Sequence, residues 1–277
     1  MFRVTSRLTL ALLLNGVLWL TSTLAEEVPA DRTVRVALVQ FDAVPGDVQR
    51  NLDAMERLAR EAAAEGARFV MFHELSTTDY LEDVSAALEE VPGGPSCLRI
   101  ESLARELGCY IAFGLPEKEE DRRYIAYAFF GPKGFVEKYR KTWLFKHKED
   151  PGFRNEIARF DPGDGPRIFE IDGIRATCLI CADADAPRCI QRVSDLKPEL
   201  VFFPINRTAK TFDAYPGHVA RFVAITLVAN RVGNSQGLDC PGGSTIYDAT
   251  GGVIAEANRD GAEEILYREL TVPDRKD

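Results

Sequence analysis

Between residues 33 and 72 the apolar pattern changes period twice. The stretch TVRVALVQF (33–41) alternates and is rich in β-branched side chains, so it reads as a strand. Residues 47–65 place Val48, Leu52, Met55, Ala59 and Ala62 on one helical face, with Gly66 as the stop. Residues 68–72 return to a short apolar strand. A chain that switches between periods in this way must layer its helices on a sheet.

The rest of the chain continues the alternation and adds hairpins. A helix over 97–107 ends at Gly108, and 109–114 returns as a strand. Strands over 124–130 and 134–138 are joined by Gly131-Pro132-Lys133-Gly134, a hairpin-like turn. Residues 142–165 show no period and read as a long loop, of a length that is often functional. Strands follow over 166–171 and 174–180, then a helix over 186–193 and a strand over 199–204. The stretch 212–230 divides into a helix as far as 222 and a β-branched strand over 223–229. Further strands are expected over 244–247, 253–256 and 264–270. The pattern predicts an α/β layered fold with mixed sheets, and no linker or repeat divides residues 33–277.

Charge narrows the partners. With 43 acidic and 34 basic residues the net charge is −9, and no basic patch or tail appears, which argues against nucleic acid. The first 25 residues differ in character: Arg3 and Arg7 precede an apolar run over 8–20, and Thr23-Leu24-Ala25 forms a small-residue cleavage site. This is the layout of a signal peptide and predicts a secreted or periplasmic protein. The rival is an uncleaved anchor, but the apolar part falls short of the roughly 20 residues a bilayer requires, and Asn15 interrupts it. No stable membrane insertion is expected after cleavage, which would leave 32 basic against 43 acidic residues and a net charge of −11.

Cys181 ends an apolar run, Thr177-Cys178-Leu179-Ile180, and opens a turn; Glu74 and Lys141 close similar runs upstream. Strand ends are where clefts form in layered sheet proteins. A thiol near its ordinary pKa of about 8.5 needs a base or cation beside it to attack an acyl carbon. His73, His147 and His218 form no recognisable Cys–His signature, whereas a buried Glu74 can serve as base and Lys141 can stabilise an oxyanion. Against this stand the bland readings: a packed core thiol for Cys181, and a solvated or paired Glu74 and Lys141. Cys178-x-x-Cys181 lacks a second pair of ligands, so a zinc site is not expected. Tyr80 and Asn206 are candidates to line the pocket, with core packing an equal explanation for Tyr80. The chain has six cysteines; with Cys181 free, at most two bridges are possible and their pairing is open.

Three stretches together resemble the signatures of the nitrilase superfamily of carbon–nitrogen hydrolases: Phe72-His73-Glu74-Leu75-Ser76-Thr77-Thr78-Asp79-Tyr80, Tyr139-Arg140-Lys141-Thr142-Trp143-Leu144-Phe145 and Leu179-Ile180-Cys181-Ala182-Asp183. Supporting matches run from Val34-Arg35-Val36-Ala37-Leu38-Val39-Gln40 to Gly242-Gly243-Ser244-Thr245-Ile246-Tyr247-Asp248, nearly the whole of the chain beyond the leader. The resemblance implies an α-β-β-α sandwich paired across a homodimer or higher assembly. It implies Glu74 as general base, Lys141 as electrostatic stabiliser and Cys181 as acylated nucleophile. The backbone N–H of Ala182 would join Lys141 in the oxyanion hole. A second acid would support the lysine; Glu156 has the matching setting, and Glu149 is the alternative. No metal or organic cofactor is called for.

The chain also departs from that family. Ala182 stands where many relatives carry an aromatic or polar residue, while Asp183 keeps the chain nearer amidases and carbamoylases than true nitrilases. Ala184-Asp185-Ala186-Pro187 lacks a common Arg-Phe-Pro-Glu run, and Arg221-Phe222 stands where many have Glu-Asn. The expectation is an exported hydrolase of a small-molecule linear carboxamide or carbamoyl compound. Its rivals are an acyltransferase using the same thioester and a catalytically silent binding protein on the same fold.

Overall fold

The first strand, β1 (Arg32–Gln40), shows how the layers are built. Val34, Val36 and Leu38 face one hydrophobic cluster, while Ala37 and Val39 face another. Both faces are therefore covered, as the near-continuous apolar run requires. The computed structural model describes residues 32–146, 155–208 and 215–273, besides Met1. The expected leader over 1–25 and the alternative acid Glu149 lie outside the described residues.

Residues 31–277 form one compact unit. Its further elements are α1 (Val48–Ala64), β2 (Phe69–Met71), α2 (Pro95–Leu107), β3 (Tyr110–Glu119), β4 (Arg122–Gly131) and β5 (Gly134–Arg140). The second half adds β6 (Phe169–Ile171), β7 (Ile174–Cys178), α3 (Pro187–Leu196), β8 (Leu200–Pro204), α4 (Tyr215–Val219) and β9 (Ile225–Ala229). It closes with β10 (Val232–Ser235), β11 (Leu238–Pro241), β12 (Thr245–Tyr247), β13 (Val253–Glu256) and β14 (Glu264–Val272).

Two six-stranded mixed sheets result, ordered β14-β1-β2-β3-β4-β5 and β13-β12-β9-β8-β7-β6. Read from β14 in one and from β6 in the other, both pair antiparallel, parallel, parallel, antiparallel, antiparallel. The inner faces meet through aromatic side chains: Phe202 of β8 lies 6.0 Å from Phe69 of β2 and 5.0 Å from Phe129 of β4. Helices α1 and α2 cover the outer face of the first sheet through Leu52, Met55, Leu58, Cys97 and Ile100. Cys189, Ile190 and Val193 of α3 pack into the cluster that contains the second sheet. This is the α-β-β-α sandwich expected above. Among the described residues no helix is long and apolar enough to cross a membrane.

The differences from expectation have local causes. The hairpin β3–β4 continues past Gly114 to Glu119↔Arg122, because charged residues tolerate its exposed outer end. The strand expected over 223–229 starts at Ile225, since Val223 sits at φ 53° in the left-handed region and breaks the extended run. The hairpin β10–β11 carries no alternating apolar signal; Gln236 and Gly237, at φ 49° and 90°, form its turn. All six cysteines are buried, and none is joined in a disulfide.

Candidate active site

The base turn follows β2. Phe72 still pairs with β3, donating its N–H to Ala112 O at 2.9 Å, and the chain then swings away with Leu75 at φ 52°. The turn presses onto β3 where that strand has Gly114: a Cβ there would stand 2.3 Å from Leu75 N. Glu74 is fully buried. His73 beside it is also fully buried, and burial, aided by Arg231, pushes its pKa down to about 3. Its Nδ1 lies 2.9 Å from the Glu74 carbonyl, which can only accept, so the neutral ring donates there. His73 therefore carries no charge at neutral pH and is no titrating base.

Lys141 follows the end of β5, its N–H bonded to Ile125 O at 2.9 Å. Its fully buried Nζ donates to Glu74 Oε1 at 2.6 Å and to Glu156 Oε1 at 2.7 Å. Burial alone would discharge the ammonium, but the two carboxylates outweigh it and hold the pKa above the ordinary lysine range. Glu156 opens a short 3-10 turn (Glu156–Ala158) in the region expected to be loop. Its Oε1 also accepts from the Tyr80 hydroxyl at 2.6 Å, and its Oε2 accepts the Phe145 N–H at 2.7 Å. Burial, with Glu74 adding to it against Lys141, raises the Glu156 pKa. The loop returns at Gly163, whose N–H donates to Lys141 O at 2.9 Å. A Cβ at that glycine would stand 2.3 Å from Arg140 O, so only glycine permits the approach.

The cysteine sits on a sharp corner. After β7 the backbone reaches Ile180, and Cys181 adopts φ 45° to begin a 3-10 helix (Cys181–Asp185). A non-glycine residue in this region costs of order 1–3 kcal/mol and persists only where its surroundings enforce it. Asp183 does the enforcing. Its Oδ2 accepts from Ile180 N at 2.9 Å and Tyr139 OH at 2.8 Å, and its Oδ1 from Thr142 N at 2.9 Å and Trp143 N at 2.6 Å. One carboxylate thus joins the cysteine corner to the residues that follow Lys141. Ala182, 1% exposed, lies in the first turn of the 3-10 helix, where amide N–H groups lack intrahelical partners.

Cys181 is 7% exposed. Burial and then Glu74 raise its pKa, while Lys141, Arg207 and the Asn206 backbone N–H oppose the rise. The resting group is therefore a thiol, which could act as a nucleophile only with a base to take its proton. Glu74 is suited to this: Oε1 is held by Lys141, and Oε2 has no hydrogen-bond partner among the described residues.

Glu74, Lys141, Glu156 and Tyr80 thus form one hydrogen-bonded chain, and Cys181 interacts electrostatically with its first two members. The Asn206 side chain turns elsewhere, donating Nδ2 to Asp79 Oδ1 at 2.9 Å. Sequence reasoning missed the bracing role of Asp183, the buried Asp79 and Arg231, and Arg207, which pairs with Asp185 at 3.0 Å. The Asn230-Arg231 pair, polar residues ending an apolar strand, is the signal that could have drawn attention to Arg231. Among the described residues no group of side chains is arranged to hold a metal ion.

The chain thus builds a layered sandwich with a buried lysine between two carboxylates and a cysteine at a left-handed corner. Residues 35–276 match the family model for carbon–nitrogen hydrolases, and the chain belongs to that family. It is similar to a nitrilase of Pyrococcus abyssi, 30% identical over 243 residues that span 86% of this chain and 89% of the relative. It is also similar to the N-carbamoylputrescine amidase of Arabidopsis thaliana, 27% identical over 86% of this chain and 87% of that protein. Among solved structures, a mutant of the Nesterenkonia sp. AN1 amidase superimposes with a TM-score of 0.74 at 23% identity, covering 88% of this chain and 92% of that one. That amidase carries the acetamide moiety of fluoroacetamide covalently at its active-site cysteine.

Proposed function

We propose that this carbon–nitrogen hydrolase cleaves a linear carboxamide or carbamoyl C–N bond through a thioester on Cys181. The observation that carries the reading is the fully buried Lys141 ammonium, bonded to both Glu74 and Glu156 on the side of the site that also influences the Cys181 thiol. Glu74 accepts the thiol proton as Sγ attacks the carbonyl carbon. Lys141 and the Ala182 N–H stabilise the oxyanion that forms. The tetrahedral adduct collapses as Glu74 returns the proton to the leaving nitrogen, and the amine or ammonia departs. Water then attacks the thioester, giving up a proton to Glu74. Collapse of this second adduct expels the sulfur, which takes the proton back, and releases the carboxylic acid.

Glu156 holds the ammonium in place, and Tyr80 acts through Glu156. Asn206 contributes its backbone N–H near the sulfur. Export of the enzyme rests on the composition of residues 1–25 and is tested by N-terminal sequencing of the secreted protein; a mature chain starting at Met1 would contradict it. A homodimer rests on the family resemblance and is tested by sedimentation equilibrium, which would show a monomer if the assignment is wrong. Acid and ammonia measured together over a panel of aliphatic, aromatic and carbamoyl amides test the reaction. Capture of the acyl group by an added amine, in place of acid release, would identify a transferase.

A further inference from the structure

We propose that Asp79 is a positioning residue for the Cys181 sulfur, acting through Asn206. Asp79 lies in the same turn as Glu74, is 1% exposed, and holds the left-handed φ of 54°. Its Oδ1 accepts from Asn206 Nδ2 at 2.9 Å; its Oδ2 accepts from Ser235 Oγ at 2.7 Å and lies 2.5 Å from Arg231 Nη1. Arg231 is itself fully buried, with Nη2 donating to Asp42 Oδ1 at 2.7 Å and Ala43 O at 3.0 Å. One carboxylate therefore joins the base turn, the end of β8 and the hairpin β10–β11.

The peptide unit between Ile205 and Asn206 is what this grip controls. Its carbonyl accepts the Glu74 N–H at 3.3 Å, and its N–H is hydrogen-bonded toward the Cys181 sulfur, favouring the thiolate behind Lys141 and Arg207. A trans peptide is planar, so the two groups point in opposite directions and are fixed together. Asp79 holds the side chain at one end of that plane. A tilt of the plane would loosen the base and withdraw the donor from the sulfur in the same movement. A merely structural Asp79–Arg231 pair would affect stability and leave the thiol titration unchanged.

The inference rests on the thiol-nucleophile reading of the site, and its test needs no knowledge of the amide. Alkylation of Cys181 by iodoacetamide is followed against pH in the full chain, with the labelled peptide identified by mass. Asp79→Gly removes the carboxylate at a backbone conformation glycine adopts freely. We expect the midpoint to rise and the rate at neutral pH to fall about tenfold, the size of a lost hydrogen bond to an ionised group. Asn206→Ala keeps the Asp79–Arg231 pair, so it remains decisive if Asp79→Gly does not fold, and should give the same change. The double variant should go no further, because both substitutions break one linkage. Asp42→Asn, which removes an outer partner of Arg231, should lower Tm without moving the midpoint. An unchanged midpoint in folded Asn206→Ala, or an additive double variant, overturns the inference. No labelling of the native protein would instead contradict the nucleophile reading itself.

Discussion

Trp143 donates its backbone N–H to Asp183 Oδ1 at 2.6 Å, and so the residue two positions after the lysine is tied to the residue two positions after the cysteine. The two groups sit on different sheets, and this carboxylate bridges the layers. All four hydrogen bonds into Asp183 come from donors, three of them backbone N–H groups, so the ionised form is the one that braces the site.

Burial raises the Asp183 pKa to about 6 against those donors. Protonation below that value would put a hydrogen among donors and loosen the corner, so kcat should fall as pH drops through about 6. The stability term has the opposite sign. A carboxyl with a raised folded-state pKa favours folding below its unfolded value of about 3.9, and that contribution is lost as pH rises through about 6. Tm profiles of the native protein and Asp183→Asn should therefore differ in slope between these values, with turnover in the variant down at every pH. Parallel profiles would remove Asp183 from this role.

Glu156→Gln should leave Lys141 in place with one anionic partner and lower kcat by one to two orders of magnitude. Tyr80→Phe removes one hydrogen bond to that carboxylate, worth about 1.5–3 kcal/mol, and should cost a smaller factor through the same group. Steady-state kinetics on both variants check the ranking; a larger loss in Tyr80→Phe would mean that Tyr80 touches the substrate directly.

Lys141→Met should destabilise the protein by about 3–5 kcal/mol at neutral pH, because two fully buried carboxylates lose their shared cation. Part of that loss should return on acidification, when Glu156, whose pKa burial already raises, takes up a proton. Chemical denaturation at pH 7 and pH 5 reads the difference, and an equal loss at both would contradict the charge argument.

Much of this arrangement was legible in the chain because strand ends carry unmistakable polar residues after apolar runs. Glu74, Lys141 and Cys181 each follow such a run, whereas Glu156 was implied by the family resemblance alone, with Glu149 as the alternative. The alternation of periods pointed to an α/β layered fold with mixed sheets, and the family resemblance implied the α-β-β-α sandwich; that β1 is covered on both faces came only with the structure. What escaped notice depends on contacts distant in sequence. Asp79 and Arg231 find each other through the fold, and no local pattern pairs them. The hairpin β10–β11 is formed from polar residues whose turn is set by Gln236 and Gly237, leaving no periodicity to read.

Gly114→Ala tests how closely the base turn must lie against β3. The added methyl would stand 2.3 Å from Leu75 N and 2.9 Å from Glu74 C, both backbone atoms with little room to move. The expected cost is at least about 1–3 kcal/mol of stability and a fall in kcat as Glu74 shifts, read by thermal unfolding and kinetics. A variant of native activity would mean the turn can relax without moving its carboxylate.

The most direct test of the thioester at Cys181 is ammonia release from the amide panel by the native enzyme and by Cys181→Ala, measured side by side. The account predicts release by the native enzyme alone, with the variant folded and no faster than the buffer. Ammonia release by the folded variant at the native rate would contradict it.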